Sequence, residues 1–333
     1  MRIGLSYDLK TAVTKNHNVD DALEEYDSPE TVEIITSALE KKGHRIVKLG
    51  GGAQFIDSIR RDKVDFVFNF SEGRGNYRSR EAQVPAILEM LDIPYTGSDP
   101  LTLAVCLDKI LTKKIVSLAG IPTPKWLVIS EEKELTKTDW KGFVFPVIIK
   151  PAYEGSSKGI RLTSLAEDVR QAEAEVKRIL KSYNQPVMVE EFIDGEEVTV
   201  GVIGNKPPKL VGMMRVVPKK QPKHFVYSLE VKRDYLNQVD YELPVKLPRH
   251  VLAKLEEYSL NAFKTLGCRD FSRVDFRVSR EGTPYFLEIN PLPGLGTYSD
   301  LVIMAVKQGW THEGLIGSVL DAAIERYPKC ASA

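Results

Sequence analysis

The sequence predicts an α/β protein in three parts: a doubly wound parallel α/β domain over 1–102, a small α+β subdomain over 103–188 and an α+β domain over 189–333. Three observations predict it. Strand-like runs alternate with amphipathic helical runs through the first third of the chain. Past the link "AGIPTP" the texture changes to strand, Gly/Ser turn, strand. The last third sets amphipathic helices on either side of a hairpin, "FSRVDFRVSREGTPYFLEIN".

The elements follow in order. "RIGLSY" is a strand, and "SPETVEIITSALEKKG" a helix capped by Ser28, with Pro29 in its first turn and Gly43 at its end. "HRIVKL", a helix around "AQFIDSIRR", the apolar strand "VDFVFNF", a helix "SREAQVPAILEMLD" and the short run "IPYTG" complete a parallel, doubly wound pattern. Ligand sites in such sheets lie at the strand ends, here "NFSEGRGNYRSREA". "GGG" at 50–52 reads as a connector. "DPLTLAVCLDKILTKKIVSLAG" reads as one helix closed by Gly120. "FPVIIKPAYEGSSKGIRLT" is strand, turn, strand; "SLAEDVRQAEAEVKRILKSY" is a helix; "PVMVEEFIDGEEVTVGVIG" is two strands about a turn at Asp194-Gly195. The basic segment "VVPKKQPKHFVYSLEVKRDYLNQ" suits a solvated loop or a lysine-bearing lid over phosphates. "PRHVLAKLEEYSLNAFKTLG" and "THEGLIGSVLDAAIERY" are the flanking helices.

The hairpin carries the strongest chemical signal. Side chains two apart on a strand share a face. Phe286, Glu288 and Asn290 therefore align, as do Arg273, Asp275 and Arg277 on the partner strand. A turn centred on Glu281-Gly282 sets Asp275 opposite Glu288 and Arg273 opposite Asn290. Like charges directly opposite destabilise a sheet. A solvated face would tolerate them, but a hard divalent cation such as Mg²⁺, held by carboxylates, an amide oxygen and phosphates, would require them. A phosphate-binding apparatus should then exist elsewhere. No Walker or Rossmann glycine motif is present. The candidate is "KPAYEGSSKGI", where Lys150 ends a strand and Gly155-Ser156-Ser157-Lys158-Gly159 could present backbone N–H groups to an anion; by itself it is also an ordinary hairpin. Glu190 and Glu197 in "VEEFIDGEE" suit an adenine amino group and ribose hydroxyls. Lys109 in "CLDKILTK" adds a cation.

Composition excludes several classes. Lys+Arg and Asp+Glu are both 46, leaving no net charge and no footprint for nucleic acid or an anionic membrane. No apolar run approaches the length of a membrane span, and no signal peptide is evident, so a cytoplasmic location is expected. The three cysteines, Cys106, Cys268 and Cys330, are far apart and form neither a zinc motif nor a disulfide framework.

The order of these motifs resembles the ATP-grasp superfamily, and within it the D-alanine–D-alanine ligases. The resemblance runs over roughly 65–325 and is densest in "DIPYTGSDP", "FPVIIKPAYEGSSKGI", "VEEFIDGEEVTV" and "SRVDFRV…FLEINPLPGLGTYS". It implies an ATP-grasp fold, a central ATP-lid subdomain and an ATP-dependent carboxylate–amine ligase acting through an acylphosphate. Lys109 and Lys150 would hold the nucleotide's phosphates and base. Glu190, with backbone around Glu191 and Ile193, would meet the adenine edge, and Glu197 the ribose. Lys232 would reach the γ-phosphate, with Gly155, Ser156 and Ser157 in the phosphate loop. Asp275, Glu288 and Asn290 would be the metal ligands for two Mg²⁺ ions, Mn²⁺ being an alternative. Arg273 and the Gly294 N–H would stabilise the tetrahedral intermediate. Small-molecule carboxylate and amine substrates are implied, and a homodimer.

The departures fall at the amino-acid sites. The family's early glycine-rich stretch with a glutamate, which holds the first substrate's ammonium, has no match in "GLSYDLKTAVTKNHN". Its histidine-glycine segment is replaced by "NFSEGRGNYRSREA", where Glu72 is a candidate substrate contact. Arg233 stands where a tyrosine usually follows the loop lysine. Ser156 and Ser299 match the serines that meet the two substrates, but Asp300 replaces an apolar neighbour. An aspartate near a substrate carboxylate would repel it by on the order of 4 kcal/mol unless neutralised. Arg233 with Arg74, Arg78 and Arg80 could recognise an additional carboxylate or phosphate. D-Alanine is therefore expected to be a poor substrate, or used on one side only, with an acidic or larger partner preferred. The alternatives are an ordinary D-alanine–D-alanine ligase with divergent loops, a small-molecule kinase on the same fold, and a nucleotide-binding protein without turnover.

Overall fold

The computed structural model describes residues 1–12, 19–220 and 222–330. In chain order the elements begin with β1 (Arg2–Ser6), α1 (Pro29–Lys41), β2 (Arg45–Gly50), α2 (Gly52–Arg61), β3 (Phe66–Asn69) and α3 (Gln83–Met90). The three strands form a parallel sheet in the order β2-β1-β3, and Tyr95 of "IPYTG" adds only a single bridge to Val67. Alternation sorts the strand side chains between two cores: Phe66 and Phe68 face one, Val67 the other. The first core is roofed by α1, which Ser28 caps by accepting from the Thr31 N–H at 3.2 Å, a contact of the kind worth about 1 kcal/mol. The second is covered by α2 and α3.

Next come α4 (Pro100–Leu107), α5 (Lys109–Leu118), β4 (Trp126–Ile129), β5 (Val147–Pro151), β6 (Leu165–Ala166), α6 (Val169–Tyr183) and β7 (Val187–Glu191). The single helix expected across 99–120 is two. Asp108 leaves the helical region (ψ 93°), and its carboxylate accepts from the Ile110 and Leu111 N–H groups at 3.0 Å, starting a new helix at Lys109. The strand expected at "GIRLT" is mostly a 3₁₀ turn, Leu162–Ser164, before the two-residue β6. The sheet order β4-β7-β5-β6 puts β7 beside β5, so β7, which straddles position 188, pairs with the central strands. Val147, Ile149, Val187 and Val189 pack on α6, leaving Ile148, Lys150 and Glu190 on the opposite face.

The remaining elements are β8 (Gly195–Ile203), β9 (Lys209–Pro218), α7 (Leu229–Arg233), α8 (Tyr235–Gln238), β10 (Val239–Glu242), α9 (Arg249–Thr265), β11 (Phe271–Ser279), β12 (Pro284–Asn290), α10 (Asp300–Lys307) and α11 (His312–Ile324). An antiparallel sheet, β10-β9-β8-β11-β12, contains β9 and β10, which the basic, Pro-containing sequence around them hides. β7 and β8 are consecutive but lie in different sheets, so Asp194-Gly195 is a crossover and not a hairpin turn. Val198, Val200, Val274 and Phe276 pack against α9, while Glu197, Thr199, Arg273, Asp275 and Arg277 face the cleft opposite β5 and β7. α11 returns to pack on α1, tying the end of the chain to the first sheet.

Candidate active site

The two antiparallel sheets present their polar faces to a cleft of about 770 Å³. One wall is the hairpin. Arg273 pairs with Asn290 and Asp275 with Glu288, the register expected, with Gly282 at φ +81° in the turn. A bulge follows. Phe276 pairs with Phe286, leaving Leu287 unpaired. Phe286 is thereby turned into the core, edge-on to Phe276, and does not share a face with Glu288 as simple alternation implied. Leu287 lines the cleft instead.

The opposed carboxylates are held by cations. Arg273 donates from Nε to both oxygens of Asp275 at 3.1 Å and from its terminal nitrogen to Oδ2 at 2.8 Å. Thr199 donates its hydroxyl to Asp275 at 2.9 Å. Lys109 lies 3.1 Å from Glu288. Burial alone would raise the Glu288 pKa, but Lys109, Lys150 and Arg273 outweigh it and hold it at about 2. Among the described residues no three His, Cys, Asp or Glu side chains are placed to hold a metal ion together. Two carboxylates and the Asn290 amide are nonetheless a hard-oxygen set that suits Mg²⁺, which completes its shell from water and phosphate oxygens.

Lys150 and Lys113 share Glu190, at 3.2 and 3.0 Å from one carboxylate oxygen. Lys113, absent from the sequence-based candidates, is fully buried, and burial pulls its pKa down to about 8. The Glu190 carboxylate, expected at an adenine edge, is thus engaged by two lysines, while the chain through Glu191 and Ile193 lines the cleft. Arg277, also unforeseen, pairs with Glu197 at 3.0 Å, donates to the Ile193 carbonyl at 2.8 Å and stacks 4.4 Å from the Phe192 ring centroid. It fixes the crossover between the sheets.

The Gly/Ser loop departs from expectation. Ser156 and Ser157 both adopt positive φ, +49° and +59°, an uncommon pair for residues with side chains. The Gly155 N–H already donates to Glu25 at 2.7 Å, and the Gly159 N–H to Asp21 at 2.9 Å, so the protein's own carboxylates occupy those anion positions. Ser157 faces the first cleft and donates to the Tyr227 carbonyl at 3.1 Å; Ser156 faces a second chamber.

That second chamber, about 1330 Å³, adjoins the first, and Tyr227, Lys232, Arg273 and Asp300 line both. Lys232, in α7, sits 5.1 Å from the Tyr227 ring centroid. Asp300 opens α10, is 7% exposed and lies 3.7 Å from Arg273. Burial raises its pKa, opposed by Arg273 and Lys232. Asp300 therefore faces the chamber and is neutralised by Arg273. Ser299 and Gly294 line it nearby; a Cβ at Gly294 would come 2.9 Å from the Ser299 hydroxyl and would have to turn it aside.

The arginines expected to recognise an extra anion are already committed. Arg233 pairs with Glu24 at 2.6 Å and Asp20 at 3.2 Å, and Arg74 with Asp8 at 2.8 Å. Arg80 is 3% exposed between Glu25 and Glu154, at 2.7 and 3.2 Å. The exposed Arg78 lies 3.6 Å from Asp108. Beside Lys10, Lys232, Arg233 and Arg273, the chamber is lined by the acids Asp27, Glu72 and Glu81, of which the sequence singled out Glu72 alone. The stretch expected to lack the family's ammonium-binding glutamate lies partly outside the described residues, at 13–18.

The fold and the cleft together define the class, an ATP-grasp enzyme. A family profile described as D-ala D-ala ligase C-terminus matches residues 115–321. D-alanine–D-alanine ligase from Aquifex aeolicus is 34% identical over 88% of this chain and 94% of its own length. An uncharacterized protein from Sinorhizobium fredii is 34% identical over 88% of this chain and 87% of its own. The crystal structure of a Bacillus anthracis D-alanine–D-alanine ligase complexed with ATP superimposes with a TM-score of 0.77 at 24% identity, covering 99% of both chains. The chain belongs to the D-alanine–D-alanine ligase family.

Proposed function

We propose that the protein joins a small carboxylate to a small amine, using ATP and releasing ADP and phosphate. The observation that carries this reading is the meeting of two chambers at Lys232, Arg273, Tyr227 and Asp300. ATP fits the first, where Lys150 and Lys232 face the phosphates, Lys109 backs Glu288, and the Glu191–Ile193 backbone with Glu197 faces the nucleoside. Mg²⁺, or Mn²⁺ in its place, held by Asp275, Glu288 and Asn290, would supply charge neutralisation for phosphoryl transfer.

The chain's own residues do the rest. Lys232 reaches the border where the substrate carboxylate receives the phosphoryl group, giving an acylphosphate. The amine then attacks the acyl carbon, and Arg273 with the Gly294 N–H stabilises the tetrahedral oxyanion before phosphate leaves. The segment carrying Tyr227 and Lys232 shields the border from water, which would hydrolyse the acylphosphate. A kinase would need no oxyanion site. On the same resemblance we infer a homodimer working in the cytoplasm. The test is ADP release with a carboxylate alone and with an added amine. Release that requires both substrates supports a ligase; full release without amine points to a kinase.

A further inference from the structure

We propose that Asp27, Glu72 and Glu81 form a subsite for a positively charged side chain, so that one of the joined molecules is a dibasic amino acid or a comparable diamine. This rests on the ligase reading for which end of the substrate reacts. The subsite itself stands on the charge arrangement of the second chamber.

Six carboxylates line that chamber: Glu24, Glu25, Asp27, Glu72, Glu81 and Asp300. Three have close cationic partners, Glu24 in Arg233, Glu25 in Arg80 and Lys158, and Asp300 in Arg273. Asp27, Glu72 and Glu81 make no side-chain hydrogen bond or ion pair with any described residue, although Asp27 is 6% and Glu81 7% exposed. Buried carboxylates are ordinarily paired, because desolvating an unpartnered charge is costly. Lys10 offsets Asp27 and Arg80 offsets Glu72 only at longer range, while Asp8 acts against the first and Glu81, Glu25 and Asp27 against the second. All three line the chamber; Glu81 also borders a small pocket toward Lys109, which with Arg80 offsets it at longer range. A cationic group on a bound substrate would meet the three acids in the chamber, taking the place of the protons that burial favours in its absence.

One α-ammonium supplies a single positive charge, and three carboxylates exceed it. A second ammonium on a short alkyl chain would meet the remainder, while the substrate's carboxylate points to Lys232 and Arg273 at the border. Arg74, Arg80 and Arg233 are held by carboxylates, which leaves Lys10 and the border Lys232 as the lining cations without a carboxylate in contact among the described residues, fewer than an anionic side chain beside the three acids would need. A neutral chain would leave the surplus acids buried and unpaired.

The test compares charge at constant shape. Ornithine and lysine, each in both configurations, are titrated calorimetrically into the full-length protein with ADP and Mg²⁺, beside norvaline and norleucine. At least one cationic amino acid should bind tenfold or more tightly than its neutral counterpart. Glu72→Gln and Glu81→Gln should each cut that ratio to about threefold or less. Equal binding of charged and neutral partners by the unmodified protein overturns the proposal, and this comparison needs no variant to fold. A ratio that survives both substitutions overturns it too. ADP release on amine addition is measured in parallel. Amine-dependent release without cationic preference leaves the ligase and removes the subsite. Cationic preference without amine-dependent release supports the subsite and removes the ligase reading.

Discussion

The two chambers solve the problem of buried charge in opposite ways. In the nucleotide cleft most acids have a cation in contact: Glu190 has Lys113 and Lys150, Glu288 has Lys109, Asp275 has Arg273, and Glu197 has Arg277, while Glu191 takes only the Val144 N–H. In the adjoining chamber Asp27, Glu72 and Glu81 have none in contact among the described residues. The first arrangement is preorganised, its dipoles fixed before any ligand enters. The second is completed by what it binds. Fixed chemistry and variable specificity thus occupy different walls of one active site, joined at Arg273.

The largest effects should come from breaking the preorganised side. Asp275→Asn and Glu288→Gln should keep the fold and lose turnover by roughly 10²-fold or more, since the cation they hold supplies several kcal/mol in the transition state. ADP release at saturating substrates measures this, and near-normal turnover in either variant would remove the hairpin from the mechanism. Next comes Arg277. Arg277→Met strands Glu197 in the cleft wall, so stability to urea should fall by about 3 kcal/mol. The pair Arg277→Met with Glu197→Gln should recover most of that loss, because the neutral amide needs no counter-ion. Additive losses in the double variant would mean that Arg277 acts through packing on Phe192 alone.

The same contrast explains what the sequence discloses. Arg273, Asp275, Glu288 and Asn290 are legible because strand alternation places residues two apart on one face, and a short turn fixes their register. Lys150 and Glu190 are legible for the same reason. The bulge at Leu287 is not, since it follows from how Phe286 packs on Phe276 across the core. Lys113 is hidden among the lysines of a helix, although it lies one turn beyond Lys109. The second chamber draws Asp27, Glu72, Glu81 and Asp300 from separate loops and a helix end, with no shared period. Arg80 looks available in "GRGNYRSR" because nothing local reveals that Glu25 and Glu154 enclose it.

The unpaired side also gives a pH signature. Burial, reinforced by Asp8 and opposed by Lys10, raises the Asp27 pKa from 3.8 to about 8. A carboxyl whose folded pKa lies above its unfolded value stabilises the fold fully below the unfolded pKa. That contribution is lost as pH rises through the folded pKa. For Asp27 the loss runs from about pH 4 to about pH 8. The groups acting with it are Glu72 and Tyr298, whose own pKa values are raised by burial. In ligand-free protein, Asp27→Asn should therefore gain on the unmodified chain as pH rises from 5 to 9, by about 5 °C in Tm. A difference that is flat with pH would place Asp27 in contact with a cation.

The smallest expected effect tests whether the two chambers are separable at their border. Tyr227 lines both; its hydroxyl is 2.7 Å from that of Tyr241, and its carbonyl accepts from Ser157. Tyr227→Phe keeps the ring beneath Lys232 and the backbone bond to Ser157, removing only the hydroxyl and its influence on Asp300. One neutral hydrogen bond is worth about 1 kcal/mol, so the effect should be about fivefold. It should appear in the KM for the amine and leave the KM for ATP within about twofold, because the lost group points to the second chamber. Hydrogen exchange should show ATP protecting the segment 216–237 equally in both proteins, since Lys232 and its path to the phosphates are unchanged. A rise in the KM for ATP, or loss of that protection, would mean that Tyr227 orders the nucleotide side, and that the border residues serve one continuous site.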